Sequence, residues 1–519
     1  MELHGLKWSD LSYLAPELTL VISAIVLSII DLLLPKQVSR TLLGWLSLIS
    51  ILVSAGFVVY QLGIKFDFSA FSFIQGEPVR VELLHYSYRV DVFGGILKLL
   101  FLMGTGLITL MSIGSIKKSE IPDTGEFYYF LLPALIGGMI MVSSADLITL
   151  FVGLELLSIT SYILVGMRKL NGRSNEAAFK YMVQGGMASA MILYGMSFLY
   201  GISGSTNLME INNALIQTSG SYTALIYVAF FLILAGLGFK IAAAPFHSWA
   251  PDVYQGAPTP ITAFLAVISK GAAIALLFRI IYRVFNGVAG TAEQPIFSDI
   301  MFTVAILAAI SMIVGNVLAL RQRNFKRLLA FSGIANAGYL LVPIAASFGL
   351  VHYTNYSEFA FYLIAYTFMN IGAFAVFAAI ENNADTEQTR GFAGLYYRAP
   401  WTAFAMVVLL LSLAGFPVTG GFFGKLFIIL GALETHKYWL VAIMIATSVI
   451  SYYYYFGLIR QMFMRSDTEA RDVMPSLPLA IVIWTCTVVT LLLGFFPQVV
   501  LNHIQNIFVL GKDLFMISQ

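Results

Sequence analysis

Three lysines stand in apolar stretches where a charged side chain is costly. Lys240 follows AGLGF, Lys270 lies within FLAVISKGAAIALLF, and Lys425 lies within GGFFGKLFIILG. A charge at bilayer depth costs about 2.5–3.5 kcal/mol on insertion scales and usually faces the protein interior. Because burial disfavours the charged form of lysine, neutralising one amine in such a row changes the proton affinity of the next. We therefore predict that Lys240, Lys270 and Lys425 carry protons through internal water.

Three further residues are candidates for the same chemistry. Glu155 lies in the middle of LFVGLELLSIT and is a natural counter-ion for Lys240. Lys180, in EAAFKYM, lies near the start of an apolar run, and both a structural and a functional role stay open for it. His247 follows Pro245; a lone histidine is usually structural, but in a hydrated channel it can relay protons. A sodium site would instead require clustered acids and carbonyls.

The composition identifies the environment that holds these charges. Of the 519 residues, 59% are hydrophobic and only 11% are charged, which indicates a polytopic α-helical membrane protein embedded in a lipid bilayer. The single cysteine excludes an intrachain disulfide, an all-cysteine iron–sulfur cluster and a structural zinc site. The six histidines are scattered, so we predict no metal site, and the net charge of +2 argues against a nucleic-acid partner.

About fourteen apolar runs are long enough to cross the hydrocarbon as helices, beginning near residues 14, 42, 90, 127, 147, 177, 223, 260, 297, 325, 359, 401, 439 and 477. Loops after the odd-numbered spans carry about twice as many lysines and arginines as loops after the even-numbered ones. The positive-inside rule therefore places these more basic loops, hereafter the basic side, in the cytoplasm.

Two spans are expected to be discontinuous. The seventh and twelfth both contain LAG, at 234–236 and 413–415, and both meet a proline soon afterwards, Pro245 and Pro417. YILV at 162–165 and YLLV at 339–342 also match, at an offset of about 180 residues. Because an odd number of helices separates partners, the copies would have opposite topology. Inverted repeats with broken helices are typical of transporter cores.

The resulting domain prediction has four parts. Residues 1–125 form an N-terminal three-helix region, 126–285 a first five-helix repeat, 296–465 a second five-helix repeat and 466–519 a C-terminal helix. The predicted fold class is all-α, with two inverted five-helix repeats and discontinuous helices 7 and 12.

Several motifs resemble a known family. LITLFVGLELLSITSYILVG, GFKIAAAPFHSWAPDVYQGAPTP, RNFKRLLAFSGIANAGY and GFPVTGGFFGKL are similar to the antiporter-like subunits of respiratory complex I and of Mrp-type cation/proton antiporters. PFHSWAPDVYQGAPTP together with RSNEAAFKYM resembles subunit N (subunit 2) in its cyanobacterial and chloroplast form. In that family the fifth-span glutamate, here Glu155, pairs with the seventh-span lysine, here Lys240. The eighth-span and twelfth-span ionisable residues correspond to Lys270 and Lys425.

The resemblance implies a proton-translocating subunit of a photosynthetic, plastoquinone-reducing complex I in the thylakoid membrane, or alternatively a complex in the bacterial plasma membrane. It implies an NAD(P)H- or ferredoxin-quinone oxidoreductase with no cofactor on this chain, since plastoquinone and the iron–sulfur clusters would belong to partner subunits. The expected partners are other membrane subunits, including other antiporter-like ones. Two alternatives stay open: a subunit of an Mrp-type antiporter, and a membrane scaffold whose charges only lock helix packing.

Overall fold

The computed structural model describes residues 8–35, 37–67, 72–117, 119–291, 295–346, 355–384, 386–464 and 473–513. Among these residues, 13 helices are long and apolar enough to cross a membrane. The first to eleventh spans are Ala15–Leu33, Thr41–Gln61, Val92–Ser115, Thr124–Ser143, Leu147–Val165, Gly172–Ser203, Leu208–Ile241, Thr259–Phe285, Ile296–Ala319, Phe325–Ala345 and Asn355–Asn383, and the thirteenth and fourteenth are Tyr438–Met464 and Leu477–Phe495.

The twelfth span consists of two half-helices, Pro400–Ala414 and Gly420–Glu434. The first half ends at Gly415, whose φ of 87° lies in the left-handed region that favours glycine. Pro417 stands in the joint, where it cannot continue the helix. The interruption predicted from the LAG–proline pattern is therefore present.

The seventh span is interrupted at the corresponding place. It ends at Ile241, where Ala242 adopts a left-handed conformation (φ 59°), and the chain resumes as the short helix Ala250–Gly256. The break thus comes before Pro245. Tyr222 has non-helical dihedral angles within this span, one residue before the predicted start at Thr223.

The eighth span differs from the regular helix that its sequence predicts. Two π-helical segments, Leu265–Ser269 and Ile281–Phe285, flank the α-helical segment Lys270–Ile280. Segments of π-helix are rare and occur frequently at functional sites. Their wider turn has no distinct hydrophobic period, so the sequence pattern did not reveal them.

Short elements complete the described chain. Strand β1 (Ile64–Asp67) pairs antiparallel with β2 (Ser72–Gln75), and β3 (Val81–Leu83) pairs antiparallel with β4 (Tyr88–Val90). The remaining short helices are Trp8–Tyr13, the 3-10 turn Thr389–Phe392, Leu395–Arg398, Pro497–Ile507 and Leu510–Asp513. The strands lie between the second and third spans.

The centre of the molecule is formed by the eighth, tenth and eleventh spans. The most apolar stretches of the eighth and tenth are completely buried, whereas the first and second spans keep broad exposed faces. Small residues allow this close packing: a Cβ on Gly338 would lie 2.7 Å from the backbone oxygen of Ala308 on the neighbouring ninth span. Lys270, on the eighth span, is therefore deeply buried.

These elements confirm a nearly all-helical polytopic membrane fold with interrupted seventh and twelfth helices. The prediction of a purely α-helical chain omitted the four short strands. The inverted relation between the halves and the domain boundaries stay predictions, and the boundary between 465 and 466 lies outside the described residues.

Candidate proton-relay site

Lys240 is positioned by the end of the seventh span. Its ammonium Nζ donates hydrogen bonds to Ser158 Oγ (2.7 Å) and Tyr162 Oη (3.2 Å) on the fifth span. Ser158 and Tyr162 follow Glu155 by three and seven residues, so the three side chains share one helix face. The fifth span thus presents a carboxylate and two hydroxyls in succession toward the broken helix.

The expected contact between Glu155 and Lys240 is not direct in this structure. Ion pairs within 4 Å among the described residues include none between them, because the ammonium is held by Ser158, one helical turn away. Glu155 Oε1 is buried and accepts no hydrogen bond from the described residues. The role of Glu155 as counter-ion stays a prediction, now with a serine between the two charges.

Lys270 is buried at the start of the α-helical segment that follows the first π-segment. Its ammonium donates to the backbone oxygen of Gly333 on the tenth span (2.8 Å). A Cβ on Gly333 would lie 2.9 Å from that Nζ and 3.1 Å from Tyr366 Oη. The absence of a side chain at Gly333 therefore leaves room for the amine of Lys270 and the phenol of Tyr366 at the same point of the tenth span.

Lys425 lies in the second half of the twelfth span and contacts the end of the first half across the joint, residues 415–419. Its ammonium donates to the backbone oxygens of Leu413 and Ala414, both at 3.1 Å, and lies 4.8 Å from the ring centroid of Tyr339. The last carbonyls of a helix lack intrahelical donors and carry partial negative charge. The break therefore supplies acceptors for the charge, and the charge satisfies the carbonyls that the break leaves unpaired.

A buried hydroxyl network joins the surroundings of these two lysines. We define it as Ser332, Asn336, Tyr362 and Tyr455. Ser332 Oγ is hydrogen bonded to Tyr455 Oη, Asn336 Nδ2 donates to Ser332 Oγ (3.2 Å), and Tyr362 Oη donates to Asn336 Oδ1 (2.6 Å). The network begins at Ser332, next to Gly333 on the tenth span, and ends at Tyr362 on the eleventh span.

A second group of polar side chains lies under Lys425. Tyr339 Oη donates to Thr447 Oγ1 (3.2 Å), Asn316 Nδ2 donates to Tyr339 Oη (3.3 Å), and Tyr454 Oη donates to Asn316 Oδ1 (3.0 Å). Sequence analysis missed these residues and the hydroxyl network. Their signal was the spacing of polar residues along the tenth span, at 332, 336 and 339.

The structure separates Lys180 from the buried lysines. Lys180 is 40% exposed and forms ion pairs with Glu176 (2.7 Å) and Asp252 (3.1 Å), and Asp252 also pairs with Arg327 (2.6 Å). Asp252 lies outside the seventh and eighth spans. Burial alone would raise its pKa, but hydrogen bonds from Arg327 and Lys180 outweigh burial and hold the pKa below the usual range. Lys180 therefore belongs to a charged cluster at the basic side, and its relay role stays a prediction.

His247 lies in the loop that follows the break in the seventh span. It is half-buried, its Nδ1 has no hydrogen-bond partner among the described residues, and its ring centroid is 6.5 Å from that of Phe331. Over the described ranges, no group of three His, Cys, Asp or Glu residues is placed to hold a metal ion. The relay role of His247 and the predicted lack of a cofactor on this chain both stay predictions.

Comparison with known proteins places this arrangement in a family. A family model described as "NADH:quinone oxidoreductase/Mrp antiporter, TM" matches residues 144–451. NADH-quinone oxidoreductase subunit N of Paenibacillus sp. (strain JDR-2) is 52% identical over 520 residues, which cover 99% of each chain. A chain of respiratory complex I from Thermus thermophilus with bound aureothin is 31% identical, with a TM-score of 0.75, and the match covers 94% of this chain and 98% of that one.

A chain of the Mrp complex from Dietzia sp. DQ12-45-1b has a TM-score of 0.78 at 18% identity, over 97% of this chain and 98% of that one, which shows a shared fold. The interrupted helices and their buried lysines thus define an antiporter-like membrane subunit. Within that class, the chain belongs to the subunit N family of complex I.

The relatives correct one expectation. The two relatives reported above with at least 30% identity come from Paenibacillus and Thermus, and they do not support the predicted cyanobacterial or chloroplast form, the thylakoid membrane or plastoquinone. The motifs behind that prediction cover the charge-bearing helices, which any subunit N needs. They identify the subunit and carry little information about the host membrane.

Proposed function

We propose that this chain is the proton-translocating subunit N of a bacterial NADH-quinone oxidoreductase located in the plasma membrane. In this proposal the quinone and the iron–sulfur clusters belong to partner subunits, and this chain moves protons in response to quinone reduction elsewhere in the complex. Its neighbours would be other membrane subunits, including other antiporter-like ones. The naming of the Paenibacillus relative as NADH-quinone oxidoreductase subunit N supports this assignment.

The observation that carries the proposal is the position of three buried ammonium groups at irregular points of the helices. Lys240 lies in the last turn before the break of the seventh span, Lys270 follows a π-segment, and Lys425 closes the joint of the twelfth span. Each donates to a hydroxyl or a carbonyl instead of forming an ion pair among the described residues. A neutral amine can occupy the same places, so protons can enter and leave the row without disassembling it.

The proposed path begins at Glu155, passes through Lys240 and Lys270, and ends at Lys425. Ser158 and Tyr162 bridge the first step, because both contact Lys240 and share a helix face with Glu155. The hydroxyl network lies between Lys270 and Lys425 and supplies hydrogen-bond donors and acceptors for the water that the last step requires.

The test uses the intact complex reconstituted in liposomes. Lys270→Ala and Lys425→Ala are expected to abolish proton translocation, measured by a pH-sensitive dye during NADH oxidation, while the complex still assembles. Lys169→Met is the control, because Lys169 is an exposed lysine outside the row that pairs with Asp123 (2.8 Å), and its replacement should leave translocation unchanged. Undiminished translocation in Lys270→Ala and Lys425→Ala would refute the relay.

Purification and assembly of the complex separate the alternatives. An Mrp-type antiporter subunit, which the Dietzia fold match keeps open, would purify with other antiporter subunits and without iron–sulfur proteins. A scaffold would lose assembly rather than proton translocation when Lys270 or Lys425 is replaced. The composition of the purified native complex decides between the first two.

A further inference from the structure

Glu358 is a buried carboxylate beyond the row of lysines. It lies in the first turn of the eleventh span and is 3% exposed. Tyr362 and Tyr366 follow it at intervals of four residues, so the three polar side chains share one face of the helix. Tyr366 Oη lies beside the open Cβ position of Gly333, whose carbonyl binds Lys270, and Tyr362 belongs to the hydroxyl network. Glu358 is thus the end of a polar stripe that begins at the molecular centre.

The second half of the twelfth span packs its backbone directly on this stripe. A Cβ on Gly424 would lie 2.4 Å from Tyr362 Cδ2, and a Cβ on Gly431 would lie 2.3 and 2.4 Å from the two carboxylate oxygens of Glu358. Lys425 precedes Gly431 by six residues, a helical rise of about 9 Å. The carboxylate therefore lies farther than Lys425 from the basic side, along the same half-helix.

The charge environment of Glu358 differs from that of a structural carboxylate. Among the described residues no ion pair joins the Glu358 carboxylate to a cation, and its electrostatic neighbour is another acid, Glu434, at the end of the same half-helix. Burying an ionised carboxylate without a cation is strongly unfavourable, and two neighbouring carboxylates tend to share a proton. By contrast, the buried Asp91 is held by Arg89 (3.0 Å) and Arg279 (3.0 Å). Glu358 is therefore placed to take up and release a proton.

We propose that Glu358 is the proton-release residue of this subunit, and this inference rests on the proposed relay. The ammonium of Lys425 gives a proton, along the polar face of the eleventh span, to the Glu358 carboxylate. This leaves a neutral amine and a carboxylic acid. The acid then gives the proton to Glu434, which is half-buried and releases it to the side opposite the basic loops. Glu358 returns to its carboxylate form, so protons and charge balance over the cycle.

The decisive variants are made in the intact complex in liposomes. Glu358→Gln, which cannot carry a proton, is expected to lower proton translocation at least tenfold, to the level of Lys425→Ala. Glu358→Asp should keep at least half of the wild-type rate. Gly431→Ala, whose methyl group must displace the carboxylate, should lower translocation at least threefold, whereas Gly457→Ala, with no atom within 4 Å of its Cβ, should leave it unchanged.

The outcomes distinguish this inference from the relay itself. Loss of translocation in Lys425→Ala with a normal rate in Glu358→Gln overturns the release role and leaves the relay intact. Normal translocation in Lys425→Ala overturns the relay and the inference together. If Glu358→Gln does not assemble, Glu434→Gln decides: at least a tenfold loss supports the route, and a normal rate overturns it. Failure of Glu358→Asp to rescue an assembled complex also counts against a role for the carboxylate.

Discussion

The buried ion pair between Glu17 and Lys98 offers a quantitative test of how the first and third spans are joined. Lys98 Nζ lies 2.8 Å from Glu17 Oε1 and donates to Tyr88 Oη (2.8 Å), and the two charged side chains are 9% exposed or less. Lys98 therefore packs helices together instead of reaching for the membrane surface. Breaking a buried pair by removing one partner costs about 3–5 kcal/mol, because the other charge stays buried and uncompensated.

Lys98→Met and Glu17→Gln should each carry that cost. The double variant removes both charges and should be less destabilised than either single variant, since neither charge is left alone. At about 1.4 kcal/mol for each tenfold change, the single variants should raise the population of opened protein about 100- to 4,000-fold. A purely additive double variant would contradict this account.

Cys486 supplies the assay. It is the single cysteine of the chain and is buried in the fourteenth span. The start of that span is hydrogen bonded to the end of the third, through Ser476 Oγ and the backbone oxygen of Gly114 (2.9 Å). A thiol reagent reaches Cys486 only when this packing opens, so the alkylation rate, followed as a mass shift of this chain in the purified complex, reports the opened population.

An exposed ion pair provides the control. Lys169 and Asp123 lie 2.8 Å apart, but their side chains are 53% and 54% exposed. Surface pairs contribute about 0–1 kcal/mol, so Lys169→Met should change the alkylation rate less than about fivefold. Single variants of the buried pair that stay within this range would refute the reasoning.

Two further predictions concern the break of the twelfth span and the ion pairs of Asp252. A Cβ on Gly421 would lie 2.0 Å from the backbone oxygen of Ser412, so Gly421→Ala must displace the joint of the twelfth span and should cost about 1–3 kcal/mol or more. Gly457→Ala, the control, should stay within about 1 kcal/mol of wild type. Equal alkylation rates of Cys486 in the two variants would disprove the close contact. Burial alone would raise the pKa of Asp252, but hydrogen bonds from Arg327 and Lys180 hold it below its usual range in the folded protein, so its ion pairs stabilise at neutral pH and Asp252→Asn should cost about 0.2–1 kcal/mol there. This difference, followed by thermal unfolding because thiol alkylation requires the thiolate, should fade as the pH falls below about 4. A difference that grows in acid would contradict the sign.

The membrane spans were predictable because the length of an apolar run is fixed by bilayer thickness. The breaks in the seventh and twelfth spans were also predictable from the proline that follows each LAG sequence, although the seventh helix continues past LAG to Ile241 before it ends. The four short strands were not, because segments of three or four residues carry too little periodicity to be distinguished from loops.

The partners of the lysines depended on contacts that a sequence does not specify. The row itself followed from the cost of burying Lys240, Lys270 and Lys425. Lys425 binds the carbonyls of its own broken helix, and predicting this contact requires the angle between the two half-helices. Lys240 binds Ser158 and not Glu155, and predicting this choice requires the relative height of the fifth and seventh spans. Hydrophobic patterning fixes which face a helix buries but leaves such axial offsets free.

The charge of Lys425 also contributes to the stability of the break in the twelfth span. The ammonium of Lys425 holds the carboxyl end of one half-helix to the other half, so its charge stabilises the elbow through the helix dipole. A neutral amine keeps donor hydrogens but loses this attraction. We therefore expect the two half-helices to be held together more firmly when Lys425 is charged than when it is neutral.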